Sequence, residues 1–301
     1  ADIAMYRAKD LGRDTAIFYV SEMNARAEQR MHLENDLRFA LKNNEFVLYY
    51  QPQYSVRDGR IKSAEALLRW IRADGTCVEP DEFIPLLEET GMIHEVGAWI
   101  IEEACRQLVK WHKAGHDTLR ISVNLSSLQL KDKRIAQLIL SMIAKYRVPA
   151  HRLELEITES MLVRHGQGVE ETFEQLIKSG IRLAVDDFGT GYSSLSYLHR
   201  LSINALKIDR SFIEQIPGNA NSEAIARAIV GLGKSLGLTL IAEGVENRQQ
   251  CAFVRELGVD YVQGYLISKP LSARAFRKLL DGHPQDNPLP FMCTDKVLVN
   301  G

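Results

Sequence analysis

The sequence lacks the features that mark several common classes of protein. No apolar run reaches the roughly 18 residues that a membrane-spanning helix needs. The 37 basic residues are outnumbered by 39 acidic ones, so the chain has no positive excess with which to bind a long nucleic acid. The four cysteines show neither zinc-ligand nor redox spacing, and we expect all of them to be reduced, as in a cytoplasmic protein.

Several well-known catalytic loops are also missing. The triplet Asp187-Phe188-Gly189 occurs in protein kinases, but no glycine-rich phosphate loop or His-Arg-Asp loop accompanies it. The stretch from Gly189 to Ser194 lacks the third glycine of a dinucleotide-binding fingerprint, and no Gly-x-Ser-x-Gly elbow is present. The sequence therefore does not predict a kinase, a dinucleotide enzyme or a serine hydrolase.

What the sequence does contain is a regular alternation of strands and helices. Two β-rich runs, 46–54 and 61–70, flank the turn signal Arg57-Asp58-Gly59, and so short a connection makes these two strands antiparallel. Strands that alternate with helices then follow at 119–124, 153–157, 182–186, 205–209, 238–242 and 260–262. Repeated β-α units give a parallel sheet. The sequence therefore predicts an α/β fold, a TIM-type β/α barrel with an antiparallel first strand.

Polar side chains recur at or near the ends of these strands. They are Glu65, Asn124, Glu156, Asp186, Asp187, Lys207, Glu243 and Gln263. Active sites of β/α barrels lie at the mouth formed by the carboxyl ends of the strands, so we expect these residues to converge there. Five carboxylates at one mouth repel one another, and one lysine cannot balance them, whereas bound metal can. Carboxylate and amide oxygens favour Mg²⁺ or Mn²⁺ over zinc or copper.

The adjacent pair Asp186 and Asp187 suggests two ions rather than one. Neighbouring side chains on a strand point to opposite faces, so both can reach the mouth only where the strand breaks. We expect the glycines that follow Phe188 to supply that break. A carboxylate that bridges two ions is usual for in-line displacement at a phosphodiester. Lys207 then suits a position near the attacking water, and Arg69 suits a phosphate oxygen.

Each of these residues also has a plainer interpretation. Glu65 could be a solvated strand end, Asn124 could cap the next helix, and Glu159 could be an ordinary acid in the first turn of a helix. Glu154 and Glu156 alternate around one residue and point the same way, so only one of them needs to be a ligand. The set as a whole favours a metal site more strongly than any single member does.

The sequence resembles the EAL-domain family of bacterial cyclic di-GMP phosphodiesterases over roughly Leu33 to Leu280. The resemblance rests on an ordered series of motifs: Tyr50-Gln51-Pro52, Glu65-Ala66-Leu67-Leu68-Arg69-Trp70, Ser122-Val123-Asn124-Leu125-Ser126, Glu156-Ile157-Thr158-Glu159-Ser160, the run from Asp186 to Ser194, Leu206-Lys207-Ile208-Asp209, Ala242-Glu243-Gly244-Val245-Glu246 and Gln263-Gly264-Tyr265. It implies a β/α barrel with an antiparallel first strand.

The resemblance also implies roles for individual residues. One ion would be held by Glu65, Asn124, Glu156 and Asp186, and Asp186 would bridge to a second ion that Asp187 and Glu243 also bind. The catalytic residues would be Glu65, Lys207, Glu243 and Gln263, with Lys207 at the nucleophilic water. Positions that contact or support the substrate would be Gln51, Arg69, Asp209 and Glu246. The loop from Phe188 to Ser194 would be held by Thr158 and Glu159 and would couple the second ion to homodimer formation.

These expectations amount to a metal-dependent hydrolase that converts cyclic di-GMP to linear pGpG in bacterial second-messenger signalling. Two alternatives remain open from the sequence. One is a cyclic di-GMP receptor that binds without cleaving, and the other is a barrel phosphodiesterase for a different diester, such as a glycerophosphodiester. The full set of acidic ligands favours the first interpretation.

The ends of the chain suggest that it is part of a longer protein. It opens Ala1-Asp2-Ile3 without a methionine or a secretory signal. Residues 1–25 resemble the C-terminal end of a GGDEF diguanylate cyclase domain, without that domain's own signature. We expect 26–44 to be a linker helix, 45–281 the barrel and 282–301 a C-terminal tail, with GGDEF and sensory domains upstream in the parent protein.

Overall fold

The computed structural model describes residues 21–163, 167–191 and 201–282. The helix and strand expected within residues 1–20, residues 192–194 of the expected loop, and the tail from residue 283 onward lie outside the described residues. No described helix is long and apolar enough to cross a membrane. The strands and helices that follow are numbered in chain order within the described residues.

Ten strands belong to one sheet in this part of the chain. They are β1 (Phe46–Ser55), β2 (Arg60–Ile71), β3 (Cys77–Val78), β4 (Arg120–Asn124), β5 (Leu153–Thr158), β6 (Arg182–Phe188), β7 (Ala205–Ile208), β8 (Thr239–Ala242), β9 (Tyr261–Val262) and β10 (Leu271–Ser272). The order is β10-β1-β9-β8-β7-β6-β5-β4-β2-β3, and β1 also pairs with β2. That last pairing closes eight strands into a barrel, and it leaves β3 and β10 as short additions.

The direction of the strands matches the sequence prediction. Consecutive neighbours from β2 through β4, β5, β6, β7 and β8 to β9 are parallel. Strand β1 runs antiparallel to β9, with Tyr54 opposite Val262. The turn around Gly59, which has a positive φ of 68°, reverses the chain between β1 and β2. The TIM-type barrel with an antiparallel first strand is therefore confirmed.

Eleven helices are described. They are α1 (Ser21–Ala40), α2 (Pro80–Glu89), α3 (Ile93–Lys113), α4 (Ser127–Lys131), α5 (Ile135–Tyr146), α6 (Glu159–Val163), α7 (Gln167–Lys178), α8 (Arg210–Ile213), α9 (Ala220–Ser235), α10 (Arg248–Leu257) and α11 (Ala273–Gly282), with a short 3-10 turn at Ala150–Arg152. Parallel strands need such crossovers, and among the described residues helices lie between β4 and β5, β5 and β6, β7 and β8, and β8 and β9, as the sequence predicts.

The described residues fall into two compact units. The smaller comprises residues 21–47 and 69–92, and the larger comprises residues 48–68 and 93–282. In the smaller unit, Trp70 packs edge-on against Phe83 at 5.8 Å between ring centroids, and its indole N–H donates to Glu45 at 2.9 Å. In the larger unit, the ring of Trp111 on α3 lies 4.8 Å from the rings of both Tyr50 and Phe276, measured between centroids, and these contacts pack α11 onto the barrel.

Two expectations about particular residues were wrong. Glu65 does not end its strand, because β2 continues to Ile71, and its last residues pair with β3 at Trp70 and Ile71. The cysteines are not all reduced either. Cys105 and Cys77 are free, but Cys251 is disulfide-bonded.

Candidate active site

Lys207 lies at the centre of the predicted cluster. It stands on β7, its side chain is 1% exposed, and four carboxylates surround its Nζ atom. The distances are 2.6 Å to Glu156 Oε2, 2.7 Å to Glu243 Oε1, 3.0 Å to Asp186 Oδ2 and 3.5 Å to Glu65 Oε2. The strands therefore bring together five of the residues that the sequence singled out, in the buried interior of the barrel mouth.

The charges in this cluster strongly influence one another. Burial lowers the pKa of Lys207, but the surrounding carboxylates, Asp186 first, outweigh it and hold that pKa well above its ordinary value. Burial and the charge of Glu65 raise the pKa of Glu156 well above its usual range. Burial also raises the pKa of Glu243 to about 8, although Lys207 opposes the shift. One lysine therefore does not neutralise the cluster.

Glu65 behaves differently from its neighbours. Burial raises its pKa, but Lys207 and hydrogen bonds from Gln263 and Asn124 outweigh burial, so the pKa is lowered overall. The amide of Asn124 donates to Glu65 Oε1 at 2.7 Å. This contact places Asn124 beside the carboxylates. The solvated-strand-end interpretation of Glu65 does not hold, since the residue is 5% exposed.

Two groups of oxygen ligands can be traced in the cluster. The first is Glu65, Glu156 and Asp186, and the second is Asp186, Asp187 and Glu243, with one oxygen from each member within 4.8 Å of the others in its group. Asp186 belongs to both groups. The buried Oε1 atom of Glu156 has no hydrogen-bond partner among the described residues, so an acceptor is left unsatisfied inside the first group.

This arrangement fits divalent cations. The donors are all carboxylate and amide oxygens, which suit hard ions such as Mg²⁺ or Mn²⁺. An acidic site whose charge is compensated by Lys207 alone should contain unpaired oxygens and acids with raised pKa values. The cluster has both, at the unpaired oxygen of Glu156 and in the raised pKa values of Glu156 and Glu243. The acidic cluster is therefore suited to bind metal.

Asp187 reaches the second group through a break in β6. Val185 and Phe188 of β6 pair with Leu206 and Ile208 of β7, so three steps along one strand match two along the other. Asp187 occupies this bulge with a left-handed φ of 53°, and its N–H donates to Asp186 Oδ1 at 2.9 Å. The break expected at the glycines after Phe188 thus lies one residue before Phe188, at Asp187 itself.

Asp209 lies beside Asp187, next to the second group. Burial and the charges of Asp186 and Asp209 raise the pKa of Asp187 to about 6. The Oδ1 atom of Asp209 also accepts the N–H of Ser211 at 2.9 Å and caps α8. Asp209 therefore has a local structural role, and its contact with the substrate stays a prediction.

A chain of amides holds the inner side of Glu65. The Nε2 atom of Gln263 donates to Glu65 Oε2 at 2.5 Å and to Gln51 Oε1 at 3.1 Å. Its Oε1 atom accepts from Gln53 Nε2 at 3.0 Å, and the Oε1 atom of Gln53 accepts from the hydroxyl of Ser63. Gln51 and Gln263, both singled out from the sequence, thus meet at the site, while Gln53 and Ser63 were missed.

The loop after β6 contacts Glu159, which is 3% exposed. Glu159 Oε2 accepts the N–H of Gly189 at 2.8 Å, and a side chain at Gly191 would place its Cβ 3.1 Å from Glu159 Oε1. The hydroxyl of Thr158 lies 3.1 Å from that of Ser160. The structure thus brings Glu159 to the described part of the predicted loop, whose last residues, 192–194, lie outside it.

An open pocket of about 230 Å³ leads to the cluster. Its rim includes Glu246, whose contact with the substrate stays a prediction, and two residues to which the sequence assigned no role, Arg210 and Tyr265. Arg210 directly follows the motif that ends at Asp209, and Tyr265 is the last residue of the motif that begins at Gln263, so position in the sequence was the available signal. Arg69 is half-buried on β2 in the smaller unit, and its role stays a prediction.

Glu154 resolves the choice between the two acids on β5. It pairs with Arg182 at 2.9 Å, and its side chain is 3% exposed. Glu156, two residues later, contacts Lys207 instead. The two glutamates share a face of the strand as predicted, but Glu156 alone belongs to the cluster around Lys207.

The sequence of this chain is similar to those of known proteins. The sequence pattern of the EAL domain matches residues 34–270. The bifunctional diguanylate cyclase/cyclic di-GMP phosphodiesterase MucR of Pseudomonas aeruginosa is 42% identical over 273 residues, which are 91% of this chain and 40% of MucR. The cyclic di-GMP phosphodiesterase NbdA of the same species is 39% identical over 290 residues, 96% of this chain and 37% of NbdA. The chain thus spans about two fifths of these curated relatives.

A solved structure described as the PaMucR phosphodiesterase in complex with c-di-GMP is also similar. The two folds superpose with a TM-score of 0.79 at 40% sequence identity. The match covers 81% of this chain and 99% of that one.

Proposed function

Because the chain belongs to the EAL domain family, we propose that it hydrolyses one phosphodiester bond of cyclic di-GMP and releases linear pGpG. The observation that carries the proposal is the sharing of Asp186 between two groups of acidic ligands around a buried lysine. A relative of known structure was solved with c-di-GMP, and two relatives are named as its phosphodiesterases.

The proposed ligand sets follow the two groups. Glu65, Asn124, Glu156 and Asp186 would hold one Mg²⁺ or Mn²⁺ ion, and Asp186, Asp187 and Glu243 would hold the second. A pair of such cations activates water and stabilises charge on the oxygens of a phosphodiester undergoing in-line displacement.

The residues of the chain would prepare this site in three ways. Lys207 would supply a fixed positive charge beside the reacting phosphate, because the barrel interior holds its ammonium group in place. Gln263 and Asn124 would orient the carboxylate of Glu65 by hydrogen bonds to its two oxygens. Gln51 and Glu246 would contact the substrate from the wall and the rim of the pocket.

The decisive experiment is a hydrolysis assay on the purified chain. Cyclic di-GMP is incubated with Mg²⁺ or Mn²⁺, and the products are identified by mass spectrometry, with an EDTA-treated sample as the control. Formation of pGpG that stops with EDTA supports the proposal. Tight binding of cyclic di-GMP without any pGpG would instead show a receptor, and faster cleavage of a glycerophosphodiester would reassign the substrate.

The wider setting is also a proposal. The chain would work as a homodimer in the cytoplasm, as one part of a longer signalling protein. Residues 1–25 would be the end of a GGDEF-like domain, followed by a linker helix at 26–44, the barrel at 45–281 and a tail at 282–301. The name of MucR, which joins a cyclase and a phosphodiesterase, supports this arrangement.

A further inference from the structure

Arg210 lies at the rim of the pocket and takes no part in the acidic cluster. It is the first residue of α8, and it lines the pocket together with Glu243, Glu246 and Tyr265. Among the described residues that line this pocket, Lys207 and Arg210 are the cationic ones. They differ in situation, because the side chain of Lys207 is 1% exposed and that of Arg210 is 58% exposed.

The guanidinium of Arg210 is only loosely engaged. Its Nε atom lies 3.4 Å from Glu214 Oε2, and its Nη2 atom lies 3.9 Å from Glu246 Oε1. Both partners are about half exposed, and exposed ion pairs of this kind contribute little to stability. An anion that enters the pocket can therefore replace either carboxylate at small cost.

The stem of Arg210 occupies the space beside Gly244 where a side chain would otherwise lie. A Cβ atom on Gly244 would lie 2.4 Å from Arg210 Cγ and 2.9 Å from Arg210 Cβ. Gly244 directly follows Glu243 and has a left-handed φ of 65°. The absence of a side chain at residue 244 thus lets the arginine lie across the backbone beside the second acidic group.

The proposed substrate carries two phosphates, and only one of them is cleaved. The scissile phosphate would be compensated by the cations that the acidic groups would hold and by Lys207, which the carboxylates already surround. The other phosphate keeps its negative charge, and the rest of the charged pocket wall is acidic, at Glu65, Asp186, Glu243 and Glu246. An uncompensated anion near these carboxylates would weaken binding.

From this arrangement, and on the basis of the proposed function, we propose that Arg210 is a specificity residue that binds the phosphate that is not cleaved. The planar guanidinium suits this task because it donates two parallel N–H bonds to a phosphate. Arg210 would contribute to the affinity for the cyclic dinucleotide and not to the chemical step, since its ion-pair partners Glu214 and Glu246 belong to neither group of acidic ligands.

Steady-state kinetics on a charge series tests this inference. Wild type is compared with Arg210→Lys, Arg210→Gln and Arg210→Glu in the presence of Mn²⁺, with cyclic di-GMP as substrate. Arg248→Ala is the matched control, because it removes an exposed arginine that does not line this pocket. Melting temperatures of all variants establish that they are folded.

The expected result is a rise in KM in the order Lys, Gln, Glu, with about a tenfold rise for Gln, while kcat changes less than about twofold. Bis(p-nitrophenyl) phosphate, which has one phosphate, should show less than about a twofold change in KM if wild type cleaves it. A KM for cyclic di-GMP that stays constant along the series would overturn the inference, and so would a loss confined to kcat.

Failure of the proposed function is recognised separately. If wild type releases no pGpG, that function is wrong, and the same series is then measured as the dissociation constant of cyclic di-GMP by calorimetry in Mg²⁺. Weaker binding in the order Lys, Gln, Glu would still support a phosphate contact at Arg210. Equal dissociation constants, or no binding by wild type, would refute it.

Discussion

Lys207 pairs with one oxygen of Glu156 and leaves the other without a hydrogen-bond partner among the described residues. The Nζ to Oε2 distance is 2.6 Å, and the unpaired Oε1 atom is buried. A buried carboxylate oxygen without a donor is costly, because it has lost its water and gained nothing. A cation bound on the side of Oε1 would remove that cost.

Removal of the carboxylate of Glu65 should abolish turnover. Glu65→Ala takes away a ligand of the first group and the acceptor for Asn124 and Gln263, so we expect kcat to fall at least about 1,000-fold and the affinity for Mg²⁺ to weaken. Activity assays and calorimetric titration with Mg²⁺ measure both effects. Glu174→Ala, at an exposed position on α7, is the control, and wild-type turnover by Glu65→Ala would reject the assignment.

Replacement of Lys207 should make the fold depend on metal. Lys207→Met removes the cation that contacts four carboxylates within the described part of the chain, and we expect a loss of about 3 kcal/mol or more in the free energy of unfolding in EDTA at pH 8. Mg²⁺ should restore more stability in this variant than in wild type. Urea denaturation with and without Mg²⁺ measures the difference, and equal gains for both proteins would contradict the prediction.

The stabilisation by metal should increase with pH. In the metal-free protein, the pKa values of Asp187 and Glu243 are raised to about 6 and about 8 from 3.8 and 4.5. When the pKa of an acid is higher in the folded protein than in the unfolded chain, the acid stabilises the fold fully at a pH below its unfolded-state pKa. This contribution is lost as the pH rises through the folded-state pKa. Metal binding requires the deprotonated carboxylates, so the ion should restore the most stability at high pH.

Melting temperatures give the test of this pH dependence. The rise in melting temperature from EDTA to Mg²⁺ should be larger at about pH 8.5 than at about pH 5.5, because Asp187 and Glu243 both titrate between these pH values. The Glu174→Ala control should show the same trend as wild type. A gain that is constant across this range would mean that neither acid binds the ion.

Asp187→Asn should separate stability from activity. Asparagine tolerates the left-handed backbone at φ 53°, and it removes a charge that Asp186 and Asp209 repel. We therefore expect a melting temperature in EDTA at pH 8 that is equal to or higher than that of wild type. Turnover should fall at least about 100-fold, because a ligand of the second group is lost. A lower melting temperature together with full turnover would exclude this role.

Gly264→Ala should destabilise the wall of the pocket. A Cβ atom there would lie 2.2 Å from the carbonyl oxygen of Val245 and 2.4 Å from its nitrogen, and backbone atoms cannot yield as a side chain can. We expect a loss of about 2 kcal/mol or more in the free energy of unfolding. Gly231→Ala in α9 is the control, because its Cβ would meet nothing within 4 Å, and it should stabilise by about 0.5–1 kcal/mol.

Much of the fold could be read from local sequence. The strands β4 to β9 were placed within two residues, because strands in a parallel sheet are short apolar runs bounded by helices. The convergence of the acidic residues followed from the same alternation, since parallel strands present their carboxyl ends on one side.

What local sequence could not give depends on pairing between distant segments. The bulge at Asp187 exists only relative to the register of β7, and the length of β2 depends on β3. Gln53 meets Gln263 because the barrel closes with β1 antiparallel to β9. Arg210 owes its place at the rim to the missing side chain of Gly244, which is remote in sequence.

Hydrogen bonds fix which end of each side-chain amide faces Glu65 in the pair formed by Gln263 and Gln53. Gln263 can present its NH₂ group to Glu65 only while its oxygen faces the NH₂ group of Gln53, and Gln53 keeps that orientation because its own oxygen faces the hydroxyl of Ser63. If Ser63 lost its hydroxyl, both amides could rotate and turn an oxygen toward the carboxylate. A serine two residues before Glu65 on β2 thus sets the orientation of both amides that lead to its carboxylate.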